Sequence, residues 1–132
     1  MKLKVVREIL NCRVIAGGDK LDEEIEVGCG ADLMSDVLAF TKPEALLLTG
    51  LTNVQSVRTA TVAEVKAIVY VRGKVPDEEA VELAQGEGIV LMATDLPMFE
   101  SCGKLYARGL PGGIELAESL SDVKRAGLPT AI

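Results

Sequence analysis

The sequence predicts an α/β fold, a three-layer sandwich built around a mostly parallel sheet. Three apolar runs carry this prediction: Ala45–Leu48, Ala67–Val71 and Ile89–Met92. Each run breaks into small polar residues and leads into a helical segment. Leu46, Ile68 and Val90 are separated by 22 residues each (68−46 and 90−68), which accommodates a strand, a loop and a short helix. Continuous apolar runs are typical of strands that are buried on both faces, as in a parallel sheet.

The chain begins with a predicted helix and a predicted strand. Val5, Val6 and Ile9 share one helical face, so residues 3–11 are expected to form a short helix. The run Arg13–Ala16 is a candidate strand, and the two glycines and the aspartate that follow it form a turn cluster.

An edge strand and a second helix are predicted next. Glu24–Val27 alternates polar and apolar residues, which indicates a half-exposed strand near a sheet edge. Asp32 or Ser35 is placed to cap the following helix, and Pro43 stops it. The residues expected on the buried side of that helix are Leu33, Val37 and Phe40.

The three apolar runs are each followed by a predicted helix. The first begins near Asn53, with Val54, Val57, Val62 and Val65 within one arc. The second follows Asp77 as a cap, with Ala80, Leu83 and Ala84 on one side. The third follows Asp95 as a cap, with a stripe of Met98, Cys102 and Leu105 flanked by Phe99 and Tyr106. Strands and helices that alternate at this spacing indicate right-handed βαβ crossovers.

Composition limits the class of protein. A chain of 132 residues fits one domain, and 48% apolar with 3% aromatic residues predicts an aliphatic core. The net charge of −6, without a run of basic residues, argues against a nucleic-acid partner. No apolar stretch is long enough to cross a bilayer and no leader opens the chain, so a cytoplasmic protein without a membrane partner is expected.

The residues that carry most enzyme chemistry are scarce. The chain has no histidine, and its three cysteines are widely separated, so no metal site is expected and the thiols are interpreted as small, free core residues. Neither the dinucleotide-binding nor the P-loop glycine pattern occurs. A serine or cysteine nucleophile would lack its usual base. Asp32 and Asp36 are explained as a cap and a solvated acid. We therefore expect no catalytic residues, no cofactor and no enzymatic activity.

A candidate ligand site follows from the ends of the predicted strands, because ligands of parallel sheets gather at the carboxyl ends. The candidate ligand-binding residues are Thr49, Gly50, Thr52, Asn53, Arg72, Gly73, Thr94 and Asp95. Gly50 lets backbone approach a ligand, and a helix that begins at Asn53 aims free N–H groups at an anion. Arg72 suits a phosphate or a carboxylate. The alternative is structural: Thr and Asn also serve as turn and capping residues, and Arg72 as a solvated loop charge.

Four stretches carry a family resemblance: Ala31–Ala39, Ala45–Asn53, Ala67–Lys74 and Met98–Gly103. In this order they resemble the DRTGG domain, and specifically small stand-alone proteins built from little else, over about residues 3–110. The name-giving Asp-Arg and Thr-Gly-Gly pieces are not literal, because Asn53 stands near the acidic element and Val71-Arg72-Gly73 replaces Thr-Gly-Gly.

The resemblance implies a fold similar to the N-terminal domain of HPr kinase/phosphorylase and to a domain of MurF. DRTGG domains accompany CBS domains in some regulated pyrophosphatases and occur in phosphotransacetylase-like proteins, where they act as regulatory or assembly modules. The implied function is a non-catalytic regulatory domain that senses a small anionic ligand, with a nucleotide as one candidate, and that self-associates, most simply as a homodimer. Some stand-alone members occur near hydrogenase-type redox genes. The alternative is therefore a protein-interaction subunit of a redox complex, without a ligand of its own.

Two regions are predicted along the chain. Residues 1–110 form the DRTGG-like α/β domain, and residues 111–132 form a C-terminal tail that is either a short helix or mobile. The tail opens with a proline and two glycines and has a weaker apolar pattern than the rest. In the alternative function, the tail is the natural docking piece for a protein partner.

Overall fold

The computed structural model describes residues 1–112 of the chain. Strands and helices alternate over most of this range, as the three apolar runs predict. The helices are α1 (Leu3–Leu10), α2 (Met34–Phe40), α3 (Val54–Val62), α4 (Glu78–Glu87) and α5 (Met98–Ala107). The strands are β1 (Arg13–Ala16), β2 (Val27–Gly30), β3 (Ala45–Thr49), β4 (Ala67–Tyr70) and β5 (Val90–Ala93), and a 3₁₀ turn covers Gly18–Lys20.

The five strands form one mostly parallel sheet. Their order is β1-β5-β4-β3-β2, with β2 to β5 parallel and β1 antiparallel to β5. Leu46 lies opposite Ala67, and Ala67 lies opposite Val90, so neighbouring strands are offset by 21 and 23 residues (67−46 and 90−67). The 22-residue spacing in the sequence is therefore the step from one strand to its neighbour, and the predicted α/β class with a mostly parallel sheet is confirmed.

Helices cover both faces of the sheet and produce the three layers. Strand side chains alternate between the faces, so Leu47 and Ile68 pack on α2, α3 and α4, whereas Leu46 and Val69 pack on α1 and α5. Because β3, β4 and β5 are buried on both faces, their sequences read as continuous apolar runs. This arrangement leaves the carboxyl ends of β2 to β5 at one edge of the sheet.

The edge strand begins three residues later than the alternation in Glu24–Val27 predicts. Strand β2 covers Val27–Gly30 and contains Gly28 and Gly30. A Cβ on Gly28 would lie 3.0 Å from the Leu110 side chain, and one on Gly30 would lie 2.7 Å from Cys102 Sγ. Glycine therefore allows this strand to lie close to α5 and the segment that follows it. Glycine has low β propensity, so the pattern does not indicate a strand here.

The buried face of α2 also differs from the prediction. Met34 and Val37 are buried, whereas Leu33 and Phe40, expected beside Val37, are exposed. Leu33 precedes the helix as its N-cap with extended backbone (φ −88°, ψ 110°), so its side chain does not follow the helical periodicity. The expected caps differ as well: α2 has no side-chain cap bond, so neither Asp32 nor Ser35 caps it.

Three further helix expectations are settled by the structure. Helix α3 begins next to Asn53 as predicted, and the Asn53 side chain caps it, as the structural alternative has it, by accepting a hydrogen bond from Gln55 N. Val62 is exposed, and the buried arc of α3 contains Ser56 and Thr59 with Val57 and Ala60. Asp95 does not cap α5, whose N-cap position is Pro97.

The chain leaves α5 along the edge strand. Gly28 N donates to Pro111 O at 2.8 Å, and Gly112 forms a parallel bridge with Gly28. The predicted tail from residue 113 onwards, whether helical or mobile, lies outside the described residues. Of the helices in residues 1–112, none is long and apolar enough to cross a membrane.

Candidate functional site

A hollow of about 290 Å³ lies at the carboxyl edge of the parallel strands. The loops after β2, β3 and β4 and the first turn of α5 enclose it. The lining residues are Asp32, Gly50, Val71, Arg72, Pro97, Met98 and Phe99. The hollow therefore contains two of the eight predicted ligand-binding residues, Gly50 and Arg72, together with Asp32, which was interpreted as a helix cap.

Asp32 is fixed by the loop after β3. Its Oδ1 accepts hydrogen bonds from Gly50 N at 2.7 Å and from Thr49 Oγ1 at 3.1 Å. The Thr49 hydroxyl also accepts from Leu51 N at 3.1 Å, so this buried side chain connects the two loops. The Gly50 N–H, expected to face a ligand, is thus already bonded to a carboxylate, and Asp32 presents its charge at the hollow instead.

Arg72 lies in a tight turn after β4. Arg72 and Gly73 both have positive φ (60° and 69°), and Lys74 N donates to Val71 O at 3.3 Å, as in a type I′ turn. Backbone bonds from Arg72 N to Leu96 O (2.8 Å) and from Gly73 N to Thr94 O (2.9 Å) attach the turn to the loop after β5. The backbone under the Arg72 side chain is therefore held on both sides, while the side chain itself is exposed.

Lys74 adds a second cation beside the hollow. Its Nζ donates to Gly50 O at 3.2 Å. A Cβ on Gly50 would lie 3.5 Å from Asp32 Oδ1 and 3.7 Å from Lys74 Nζ, so both charged side chains flank this glycine. Lys74 belongs to the predicted loop after β4 but is not among the candidate ligand-binding residues predicted from the sequence. Its positive charge shortly after a buried strand is the sequence signal that could have identified it as a candidate.

Asn53 bonds within its own loop, whereas Thr52 bonds to the residue that precedes α4. Asn53 Oδ1 accepts from Gln55 N at 3.1 Å, and Thr52 O accepts from Asp77 N at 2.9 Å. Neither residue lines the hollow. These bonds are the turn and capping roles that the structural alternative assigned to them, and a ligand role for the pair stays a prediction.

Thr94 and Asp95 line a separate hollow of about 240 Å³ between the end of α1 and α5. The Thr94 hydroxyl is buried, donates to Leu10 O at 2.6 Å and accepts from Leu96 N at 3.3 Å. Thr94 does not line the first hollow, because its hydroxyl is bonded to Leu10 O on the side of α1. The eight predicted residues are thus divided among two hollows and the loops behind them, and their role as one ligand site stays a prediction.

Burial governs the titration of the side chains near this edge. Burial raises the pKa of the Cys12 thiol to about 11 and also raises the pKa of Cys102, with a smaller contribution from Cys29. Both thiols are therefore protonated near neutral pH and poor nucleophiles. Tyr70 shares a 2.9 Å hydrogen bond with Ser56, and burial raises the pKa of this phenol.

Within residues 1–112, no cluster of three or more metal-ligating side chains occurs.

Comparison with known proteins shows the fold of this chain. No protein-family model and no curated protein matches it. Among solved structures, it is similar to the CBS and DRTGG domains of the regulatory region of Clostridium perfringens pyrophosphatase, complexed with the activator diadenosine tetraphosphate. The TM-score is 0.63 at 14% identity, over 77% of this chain and 44% of that chain. The chain thus spans less than half the length of that structure, and the similarity confirms a DRTGG-like fold.

Proposed function

We propose that this domain is a non-catalytic regulatory domain that binds a small anionic ligand, with nucleotides as the first candidates, in the hollow beside Arg72. The observation that carries the proposal is the Arg72 guanidinium, which stands on a fixed turn at the border of a hollow between strand ends. Guanidinium is the side-chain group best suited to phosphate and carboxylate. The similar pyrophosphatase region is regulatory and holds a nucleotide activator, which supports the same class of role here.

The charges around the hollow support an anion at one side of it. Arg72 and Lys74 contribute two positive charges, and the first turn of α5 contributes the positive end of a helix dipole. Asp32 contributes one negative charge and occupies the Gly50 N–H. An anion is therefore expected next to Arg72 and α5, away from Asp32.

The backbone at Arg72 gives the proposal a sharp test. Arginine in a left-handed conformation costs about 1 kcal/mol or more relative to asparagine or glycine, which type I′ turns favour. Arg72→Asn should therefore raise the melting temperature of the unliganded protein while it removes the guanidinium. We expect a nucleotide such as ATP to raise the melting temperature of the wild-type chain and to lose at least about tenfold in affinity for Arg72→Asn.

Glu64 offers a matched control. It is also exposed and left-handed (φ 59°), but it lies at the opposite end of the strands, where its carbonyl accepts from Glu44 N. Glu64→Asn should stabilise the protein similarly and leave ligand affinity unchanged. If no nucleotide, pyrophosphate or acyl phosphate shifts the wild-type melting temperature, the ligand-sensing function is wrong.

We further propose that the domain self-associates through the open flank of α5. The chain has four aromatic residues, of which Phe40, Phe99 and Tyr106 are exposed. Phe99 (84% exposed) and Tyr106 (71%) are seven residues apart on one flank of α5, and Gly103 lies between them. The other flank faces α1, because Lys104 borders the hollow that Leu10 lines. Large exposed apolar groups on one side of a helix are typical of interaction sites.

A second copy of the chain fits this flank better than an unrelated partner. Two α5 helices packed antiparallel about a two-fold axis at Gly103 place Phe99 of each copy against Tyr106 of the other. A Cβ on Gly103 would meet nothing within 4 Å, so this mid-helix glycine serves no packing inside the described chain but lets two helices approach closely.

A further inference from the structure

We propose that the hollow selects a phosphorylated polyol, that is, a ligand whose phosphate is joined to a sugar with free hydroxyl groups. This inference rests on the proposed ligand-binding function and specifies its substrate class. Arg72 is assigned to the phosphate and Asp32 to the hydroxyl groups. Nucleoside phosphates and free sugar phosphates share this chemistry, and the experiment below separates them.

One oxygen of the Asp32 carboxylate, Oδ2, receives no hydrogen bond from the described residues. Both hydrogen bonds to this carboxylate, from Thr49 Oγ1 and Gly50 N, are made by Oδ1. Among the described residues, no donor is bonded to Oδ2. Because the exposed Asp32 borders the hollow, a ligand that covers Oδ2 displaces its water and must supply a donor in its place, or the carboxylate loses solvation without compensation. Hydroxyl groups are such donors, whereas a fully ionised phosphate has none.

The charges of Asp32 and Arg72 are separated by the width of the sheet between their strands. Asp32 follows β2 and Arg72 follows β4, and β3 lies between these strands. Two strand spacings correspond to roughly 10 Å. A ligand that uses both side chains must therefore have its anionic group at one end and its donors at the other. Inorganic phosphate is too short to do this, and placed near Asp32 it is repelled by a like charge.

The size of the hollow limits the ligand that it can hold. Its volume of about 290 Å³ is at the lower end of the range of roughly 300–1,000 Å³ that small-molecule pockets occupy. A sugar phosphate fits such a volume. For a nucleotide, the hollow takes the phosphoribosyl part, and the base extends past the exposed Phe99 ring at its border. Aromatic rings at such positions can stack on a base.

The inference is tested by isothermal titration calorimetry on the full chain with AMP, ribose 5-phosphate, 2′,3′-dideoxy-AMP and pyrophosphate. We expect AMP and ribose 5-phosphate to bind at least about tenfold more tightly than the two compounds without free ring hydroxyls. AMP binding much more tightly than ribose 5-phosphate assigns the site to nucleotides, and equal binding assigns it to sugar phosphates.

Asp32→Asn isolates the carboxylate. The amide oxygen can still accept from Gly50 N, so the loop keeps its connection, but the second oxygen becomes a donor and the charge is lost. We expect weaker AMP binding and stronger pyrophosphate binding in this variant, so that the preference for ring hydroxyls disappears. Asp36→Asn, an exposed acid on α2, is the matched control and should change neither. Thermal unfolding of each variant checks that it is folded.

The outcomes separate this inference from the proposed function. If none of the four compounds and no other anion binds, the ligand-sensing function is wrong and the inference with it. If pyrophosphate or dideoxy-AMP binds the wild-type chain as tightly as AMP does, the hollow is an anion site without polyol selection. An unchanged preference in Asp32→Asn overturns the inference in the same way, while the proposed function stands.

Discussion

Single residues decide which groups of the hollow are free for a ligand. Asp32 has the plainest sequence signal of a helix cap, yet its carboxylate bonds Gly50 N and Thr49 Oγ1, which are 18 and 17 residues away in the chain. That contact exists because β2 and β3 pair in one register, with Gly30 opposite Leu48. A local pattern contains no information on such a register, so the residue was visible in the sequence but its role was not.

Burial raises the pKa of three groups, Cys12, Cys102 and Tyr70, and predicts how stability depends on pH. The pKa of Cys12 is raised from 9.0 to about 11, and the pKa of Tyr70 is raised from 10.0, in both cases mainly by desolvation. Because the unfolded chain releases these protons first, the stabilisation is lost as pH rises; for Cys12 it is complete below pH 9 and is lost through pH 9–11. For Cys12 the loss is at most about 3 kcal/mol, and smaller because the half-buried side chain is partly screened by solvent.

Urea unfolding at pH 8 and pH 11 measures this loss. Cys12→Ala should reduce the difference in unfolding free energy between the two pH values, because alanine has no proton to release. Cys29→Ala is a comparison for the removal of another free, half-buried thiol. A pH dependence identical in wild type and Cys12→Ala would show that another group titrates.

At the scale of elements, glycine positions decide how α5 lies on the sheet. Gly30 in β2 faces Cys102 Sγ and Met98 Sδ, at 2.7 and 3.2 Å from the position of a Cβ. A bulkier residue would move the helix away from the strand, and with it the first turn of α5 that borders the ligand hollow. The apolar periodicity of α5 predicts which side is buried but not how closely it approaches its neighbour.

Alanine substitution at two glycines tests this packing. Gly30→Ala should lower the unfolding free energy by about 1–3 kcal/mol, because the methyl group overlaps the Cys102 thiol. The double variant Gly30→Ala/Cys102→Ala should recover part of that loss. Gly86→Ala in α4 is the control: nothing lies within 4 Å of its Cβ position, so we expect a gain of about 0.5–1 kcal/mol. Equal effects at both glycines would contradict the close packing.

At the scale of the whole molecule, self-association must overcome a net charge of −6 on each chain. The open flank of α5 suits this requirement, because its large side chains Phe99 and Tyr106 are uncharged. Phe99 belongs both to this flank and to the border of the ligand hollow. A dimer through α5 would therefore place two hollows close to one interface, which is the arrangement that a ligand-controlled assembly requires.

Tyr106→Arg tests the dimer without touching the ligand hollow. Tyr106 is exposed in the single chain, so the substitution should leave the melting temperature nearly unchanged at low protein concentration. We expect sedimentation equilibrium to show a dimer for the wild type and at least about a tenfold weaker association for Tyr106→Arg, since two charges would meet an apolar surface. Val62→Arg, an exposed apolar position on α3, is the control and should dimerise normally.

A monomeric wild-type chain at all concentrations would exclude the homodimer. If such a chain nevertheless co-purifies from its native source with a redox enzyme subunit, and Tyr106→Arg abolishes that complex, the alternative function as an interaction subunit replaces self-association. The two results are distinguished by the mass of the purified complex.

The sequence alone determined the α/β class, the three central strands and the cap at Asn53, because each follows from a local signal: a continuous apolar run, a fixed spacing, or one side chain beside its own helix. It also predicted a ligand site at the edge where the parallel strands end together. Only the tertiary structure decided that Asp32 and Lys74 flank Gly50 there and that the Thr94 hydroxyl bonds to Leu10 O in a separate hollow. Those placements depend on strand register and on glycine contacts between distant segments, which no periodicity along the chain records.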